Sequence, residues 1–399
     1  MGRDGRIVLL LAGNVMTGRG IDQILMQPGD PELNEPLVRD AREYVHLAEA
    51  VNGPIALGAE AAYIWGDALA EMDSAGADLR IVNLETAITA GGDPWPAEGV
   101  RLRMNPANID CLRAARIDAC ALANDHALDW DREGLNDTMK ALRAAGVQFA
   151  GAGADSNEAW APARLPLPGR GQLMLFSFAA KSSGVPSGWS SGMRRAGIAL
   201  LPDLSVATAA QLAEDIVSRR GPDDRVVVSI HWGDNWGLGV PQAHRDFAHR
   251  LIDSRAVEVV HGHSSHHPLP VEVYRSKLIL YGCGDLINDC EGTAEHGRLR
   301  GDVGCLYIVT LRSGSGRLDT LDMVPLQRRR FRLGTADAAA QEWLARCLHR
   351  ANRWVSSRCG TAHSAGDCAR RPERVLPWLR AKRRSSPPHA QASTPPLRR

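Results

Sequence analysis

Five apolar, strand-like runs of the chain finish in polar side chains that bind metals or carry protons, and this pattern restricts the possible folds more than any other feature. The runs cover residues 6–12, 79–84, 117–122, 226–230 and 257–261. The polar residues at their ends are Asn14, Asn83, Glu85, Asn124, Asp125, His126, His231, His261, His263, His266 and His267. Ligands of layered α/β proteins bind beyond the carboxyl ends of strands. We therefore expect these side chains to converge on one site.

Strand-like and helical patterns alternate along the first 330 residues. Further strands are predicted at residues 147–150, 173–178, 277–281, 305–310 and 321–326, and helices at 134–146, 207–219, 242–253 and 337–355. The alternation predicts an α/β or α+β layered fold. We predict one domain over residues 1–330, a helical extension over 331–380 and a disordered, basic tail rich in proline and serine over 381–399.

The overall composition fits a folded protein with no preference for polyanions. The 399 residues are 44% hydrophobic and carry a formal net charge of +1, so we expect no nucleic-acid partner, and the basic tail is interpreted as a solvated terminus. No apolar run reaches the roughly 18–20 residues of a membrane span, and the first run is too short for a signal peptide. These features predict a location in the cytoplasm or at the inner face of the membrane.

The cysteines show no paired short spacing. A small zinc knot near the C-terminus is an alternative, formed by Cys347, His349, Cys359, His363 and Cys368. Their spacing matches no zinc-finger pattern, so scattered loop residues are the favoured interpretation.

Imidazole, carboxylate and amide groups together suit divalent ions such as Zn, Mn and Fe. Each residue also has a structural explanation when it is considered alone. Asn124 and Asp125 fit a turn cap, Glu85 fits an ion pair, and a single strand-end histidine is usually structural. Four histidines within residues 261–267 are harder to explain in this way, because they repel one another when protonated. The set as a whole therefore predicts a metal site or its degenerate descendant.

Seven short motifs give the chain a recognisable resemblance. In order they are GNVMTGRG (13–20), NLET (83–86), ANDH (123–126), GAGAD (151–155), HWGDNWG (231–237), HGHSSHH (261–267) and LILYGCGD (278–285). Over roughly residues 6–330 the chain resembles the CapA family, the calcineurin-like metallophosphoesterase relatives linked to poly-γ-glutamate capsule synthesis. The resemblance is strongest to the branch described as polyglutamine synthesis accessory proteins in mycobacteria.

The resemblance implies a four-layer α/β/β/α sandwich of the metallophosphoesterase type with two divalent metal ions (Mn, Zn or Fe) at the strand ends. The implied metal ligands are Asn14, Glu85, Asp125, His231, His263 and His266, with His261 still possible. His126 would serve as general acid or phosphate contact. Arg19 is expected to contact an anionic group of the substrate, and a surface salt bridge is the alternative.

Two positions depart from the family pattern. Asn14 stands where the family has aspartate, and Asp125 stands where it has asparagine. The two changes are opposite in charge, so the number of carboxylates is unchanged. We hypothesise that charge has been redistributed across the metal pair and that the site still binds divalent metal. A degenerate site is the alternative.

Two functions follow from these residues. The first is a metal-dependent hydrolase whose substrate bond is a phosphate ester, an anhydride or an amide. The second is an accessory protein for a poly-glutamate or polyglutamine envelope polymer, which binds the anionic polymer, its precursor or a polymer synthase. In the second case the metal site is structural or vestigial. The two functions are compatible.

Overall fold

The computed structural model describes residues 5–96, 99–293 and 299–352. Its strands are β1 (Arg6–Val15), β2 (Leu79–Leu84), β3 (Ala87–Ile88), β4 (Arg103–Met104), β5 (Ala119–Ala121), β6 (Gln148–Ala150), β7 (Ala152–Gly153), β8 (Ala163–Pro166), β9 (Gln172–Ala180), β10 (Gly197–Ile198), β11 (Leu200–Leu201), β12 (Arg225–His231), β13 (Val259–His263), β14 (Val271–Tyr274), β15 (Lys277–Leu280), β16 (Asp285–Ile287), β17 (Val303–Arg312), β18 (Leu318–Arg329) and β19 (Arg332–Thr335). Its helices are α1 (Gly20–Ile24), α2 (Arg42–Asn52), α3 (Ala68–Ala75), α4 (Asp110–Ala114), α5 (Asp131–Ala145), α6 (Ser156–Ala159), α7 (Val206–Arg219), α8 (Gln242–Asp253) and α9 (Ala338–Asn352).

Two mixed sheets form the centre of the molecule. The first has the strand order β19-β18-β17-β1-β2-β5-β6, with β16 beside the end of β1. The second has the order β11-β9-β12-β13-β15-β14, with β8 paired to β9. Strands β1, β2, β5 and β6 run parallel in the first sheet, as do β9, β12, β13 and β15 in the second. Parallel strands present their carboxyl ends at one edge of a sheet, where the polar residues of the sequence pattern lie.

Alternating side chains place the two sheets face to face. Leu9 and Leu11 of β1 pack with Leu173 and Leu175 of β9 in a core between the sheets. The intervening Leu10 contributes to a second core under the helices of the first sheet. This two-residue period is what a strand buried on both faces requires.

Helices cover the outer face of each sheet. The helices α2, α3 and α5 bury apolar side chains against the first sheet, and α7 and α8 bury theirs against the second. Helix α5 ends at Gly146, whose φ of 75° is the left-handed C-cap that the sequence predicted. The predicted α/β/β/α sandwich is therefore confirmed. All ten predicted strands overlap strands of the two sheets, whereas α2 and α3 were not predicted from the sequence.

The chain continues past the predicted boundary at residue 330. Strands β18 and β19 pair across this position, and α9 then buries Trp343, Leu344 and Leu348 in the core between the sheets. The division into domains stays a prediction. The tail and the remainder of the predicted extension, with Cys359, His363 and Cys368, lie outside the described residues, as does the side chain of His349. Within the described part of the chain, no helix combines the length and apolarity needed to cross a membrane.

We expect Leu344→Ala to lower the free energy of unfolding by about 2–5 kcal/mol, because it removes a buried side chain and leaves a cavity between the sheets. Leu344 is 3% exposed, whereas Leu57 is 71% exposed and provides the control Leu57→Ala. Urea unfolding of both variants measures the difference. Equal stability of the two variants would contradict the packing of α9 in this core.

Candidate metal centre

The carboxyl ends of strands from both sheets meet at one place. Asn14 lies on β1, Glu85 follows β2, and Asp125 follows β5 in the first sheet. His231 ends β12 and His263 ends β13 in the second sheet. Because the sheets face each other, Glu85 from one reaches His231 from the other, with Oε2 and Nδ1 separated by 3.7 Å. The predicted convergence of the strand-end residues is observed for this pair.

Glu85, Asp125 and His231 form the candidate metal centre. Each offers one ligand atom, and these three atoms lie within 4.8 Å of one another. His231 Nε2 is 2.9 Å from Asp125 Oδ1, yet neither atom has an aligned hydrogen bond, and His231 Nδ1 has none either. Buried polar atoms nearly always have partners, because an unsatisfied one is costly. A cation shared by the three side chains would satisfy these atoms, so the residues fit a divalent metal ion.

The charges of the centre also favour a cation. Burial raises the pKa of Glu85 to about 7, so this carboxyl holds its proton near neutral pH. Burial also acts to raise the pKa of Asp125, but the nearby His126 and His231 outweigh it and lower the pKa below the usual range. The groups that favour the charged forms of both carboxyls are thus histidines. A metal ion binds in place of the protons of carboxyl and imidazole ligands.

His126 lies beside the centre and is held by a carboxylate. Its Nδ1 is 2.6 Å from Oδ2 of Asp129, which also accepts a 2.7 Å hydrogen bond from the Leu102 amide. Its Nε2 is 4.0 Å from Oδ2 of Asp125. Burial lowers the pKa of His126, but the charges of Asp129 and Asp125 outweigh it and raise the pKa to about 10. Asp129 follows His126 by three positions in the same loop and was not predicted from the sequence.

A second polar group surrounds Asp285, a buried carboxylate that the sequence analysis also missed. Asn14 Nδ2 donates to Asp285 Oδ1 at 2.8 Å, and Asn288 Nδ2 donates to Oδ2 at 2.7 Å. His266 Nδ1 lies 3.0 Å from both carboxylate oxygens. The signal was present in the sequence, because Asp285 ends the LILYGCGD motif.

Two asparagine amides join the two groups. Asn83 Nδ2 donates to Asn14 Oδ1 at 3.0 Å and to Glu85 Oε2 at 2.8 Å. The carboxylate in contact with Asn14 is Asp285, whereas Asp125 lies against His231. The sequence suggested that Asn14 and Asp125 have exchanged charge, but these two side chains contact different partners and not each other. Retained metal binding stays a prediction.

His261 and His263 lie edge to face, with ring centroids 4.2 Å apart. His263 Nε2 is 2.8 Å from Ser229 Oγ, and its Nδ1 has no hydrogen-bond partner. His261 Nε2 is 2.9 Å from the carbonyl oxygen of Ala12, a bond that links the two sheets. Burial lowers the pKa of both, to about 4 for His261, so both rings are neutral at neutral pH. A neutral imidazole with a free nitrogen is the form that binds a metal.

Arg19 lies in a buried ion-pair network. Its guanidinium donates to Asp289, to Glu35 and to the hydroxyl of Tyr44, and the residue is only 6% exposed. These bonds join the loop after β1 to the segment after β16. The contacts agree with the ion-pair alternative, although the pair is inside the protein. A contact between Arg19 and a substrate stays a prediction.

We expect the affinity for Mn²⁺ to rise about tenfold from pH 6 to pH 8. Below pH 7 the metal must displace the proton of Glu85, and above pH 7 that proton is already absent. Calorimetric titration with Mn²⁺ at several pH values, in buffers of different ionisation enthalpy, measures both the affinity and the proton release. An affinity that stays constant across this range would contradict a ligand role for Glu85.

Comparisons with known proteins give the family of this chain. The family described as bacterial capsule synthesis protein PGA_cap matches residues 8–290. A Mycobacterium tuberculosis protein named "probable polyglutamine synthesis accessory protein" is 44% identical over 348 residues, which are 87% of this chain and 91% of that protein. Capsule biosynthesis protein CapA of Bacillus anthracis is 24% identical over 230 residues, 57% of this chain and 52% of its own length.

Among solved structures, a phosphatase from Mycoplasma pneumoniae covers 84% of this chain and 96% of its own, with a TM-score of 0.46 and 12% identity. A likeness of this size carries no functional argument. The match to residues 8–290 and the 44% identity to the mycobacterial protein confirm the resemblance seen in the sequence motifs. The chain belongs to the bacterial capsule synthesis protein family PGA_cap.

Proposed function

We propose that this protein is a divalent-metal-dependent hydrolase of the phosphoesterase type. The observation that carries the proposal is His231, a buried histidine whose two ring nitrogens approach Glu85 and Asp125 without an aligned hydrogen bond. A structural histidine at 1% exposure would be expected to make at least one aligned hydrogen bond. Mn, Zn and Fe suit this donor set.

The roles of the residues follow from their positions. Glu85, Asp125 and His231 would hold one ion, and Asn14, His263 and His266 are the proposed ligands of a second. Bound metal supplies a water of lowered pKa and a positive charge for a phosphoryl oxygen. His126 is protonated at neutral pH and donates a proton to the leaving oxygen from Nε2. Asp129 holds the opposite nitrogen and fixes the direction of that donor.

For the biological role, we propose a part in the biosynthesis, transport or localisation of a poly-glutamate or polyglutamine polymer of the cell envelope. Membership of the family and the names of its relatives support this role. The proposed partners are the anionic polymer or its precursor and a polymer synthase, and the proposed location is the cytoplasm or the inner face of the membrane.

A non-catalytic accessory protein is the second candidate function. The contacts of Asp285 favour it, because Asn14, Asn288 and His266 surround this carboxylate within the protein itself. In this case the protein binds the polymer or the synthase, and the centre around His231 stabilises the fold only.

We expect His231→Ala to lower the metal-dependent hydrolysis of bis-p-nitrophenyl phosphate at least about 100-fold, because one ligand of the centre is lost. His249→Ala is the control, since His249 pairs with Glu272 on the second sheet outside the centre. Release of p-nitrophenol with Mn²⁺, Zn²⁺ or Fe²⁺ measures the rate.

The same variants separate the two candidate functions in the cell. A deletion strain that lacks the envelope polymer is complemented with each variant, and the polymer is quantified. Restoration by His249→Ala but not by a folded His231→Ala protein supports the hydrolase. Full restoration by His231→Ala, with no turnover by the wild type under any metal, contradicts it and supports the accessory role.

We expect Asp129→Asn to slow hydrolysis more strongly for poor leaving groups than for p-nitrophenol. The substitution removes the charge that holds His126 protonated, so its pKa falls and proton donation weakens. An alkyl phosphodiester should lose about 10- to 100-fold in kcat, with little change in KM. Equal losses for both substrates would contradict the role of His126 as general acid.

A further inference from the structure

Asn14 and Asp285 occupy equivalent positions on neighbouring parallel strands. They are partners in the register of β1 and β16, and their head groups meet at 2.8 Å. Both are buried, at 0% and 1% exposure. A carboxylate on either strand would therefore reach the same place in the structure.

The backbone of the two strands is fixed by glycine. A Cβ atom on Gly13 would lie 1.8 Å from the carbonyl oxygen of Gly284, so a side chain at position 13 would push the strands apart. The backbone N–H of Asn14 donates to that same carbonyl oxygen at 2.9 Å. This close approach holds the two following residues side by side. An exchange of amide and carboxylate between them needs no movement of the backbone.

Asp285 is a buried carboxylate whose direct ion-pair partner, among the described residues, is the His266 ring at 3.0 Å. Asn14 and Asn288 are neutral, and His266 is its ring partner. The nearby Arg328 guanidinium donates to the carbonyl oxygens of Asp285, Leu286 and Gly301, not to the carboxylate. Buried charges are paired or coordinate a metal, and His266 is a partner that can bind a metal as well. His266 and Asp285 together form the donor pair that a divalent transition-metal ion prefers.

We propose that Asp285 supplies the metal centre with the carboxylate that Asn14 lacks, so that the strand-end ligand is on β16 instead of β1. This inference rests on the proposed metal function and puts Asp285 in the place of Asn14 among the ligands of its second ion. Asp285 would act with His266, and Asn14 would hold the carboxylate in place. The hydrogen bonds from Asn14 through Asn83 to Glu85 connect this position to the centre around His231.

A reciprocal exchange tests the proposal. Wild type, Asp285→Asn, Asn14→Asp and the double variant are compared by Mn²⁺ titration, by metal content and by melting in EDTA and in Mn²⁺. Asp285→Asn should bind Mn²⁺ at least about tenfold more weakly, and the double variant should return to within about threefold of wild type. Asn14→Asp places two carboxylates side by side, so it should melt earlier in EDTA and gain more from Mn²⁺. Asp322→Asn on β18 is the control for loss of one carboxylate.

Each outcome is decisive. Wild-type affinity in Asp285→Asn, or a double variant that binds no better than Asp285→Asn, overturns the proposal while the metal function stands. A wild type that binds no Mn²⁺ overturns the metal function and this inference with it. If Asp285→Asn does not fold, the double variant decides. A double variant that folds and binds Mn²⁺ supports the exchange, and a double variant that does neither overturns the proposal.

Discussion

The packing of two largely parallel sheets against each other is the constraint on which the rest of this structure depends. It brings the end of β2 to face the end of β12, and so places the Glu85 carboxylate beside the His231 ring. The alternating apolar side chains of β1 and β9 hold the sheets together. The bond between His261 and the Ala12 carbonyl crosses the same junction near the centre. Stability of the core and geometry of the site therefore share the same strands.

The centre is built from carboxylates, amides and histidines. Burial acts most strongly on the pKa of Glu85 and Asp125, and the charged groups that act next are histidines and each other. Metal binding displaces protons from such ligands. The strongly basic Arg19 is committed to Asp289 and Glu35 instead. The centre thus has histidines beside its carboxylates and keeps the arginine elsewhere. A metal site needs this arrangement, because an arginine in the centre would occupy the position of the metal ion.

The sequence predicts the layered fold well, because alternation of apolar residues and capping signals are local properties. It also predicts Glu85, Asp125, His126 and His231, since each lies at or shortly after the end of an apolar strand. Asp129 and Asp285 were missed for a different reason. Their importance comes from contacts with His126 and Asn14, and the second of these joins positions 271 residues apart. The buried network of Arg19 depends on similarly distant partners, and only the folded chain brings them together.

We propose that Glu85, Asp125 and His231 together bind a divalent metal ion. Anomalous diffraction from crystals of the wild-type protein soaked in Mn²⁺ tests it most directly. We expect a peak bounded by the three side chains, with a His231 nitrogen and carboxylate oxygen atoms within coordination distance of it. No peak at saturating Mn²⁺, together with an aligned hydrogen bond between His231 and Asp125, would contradict the account.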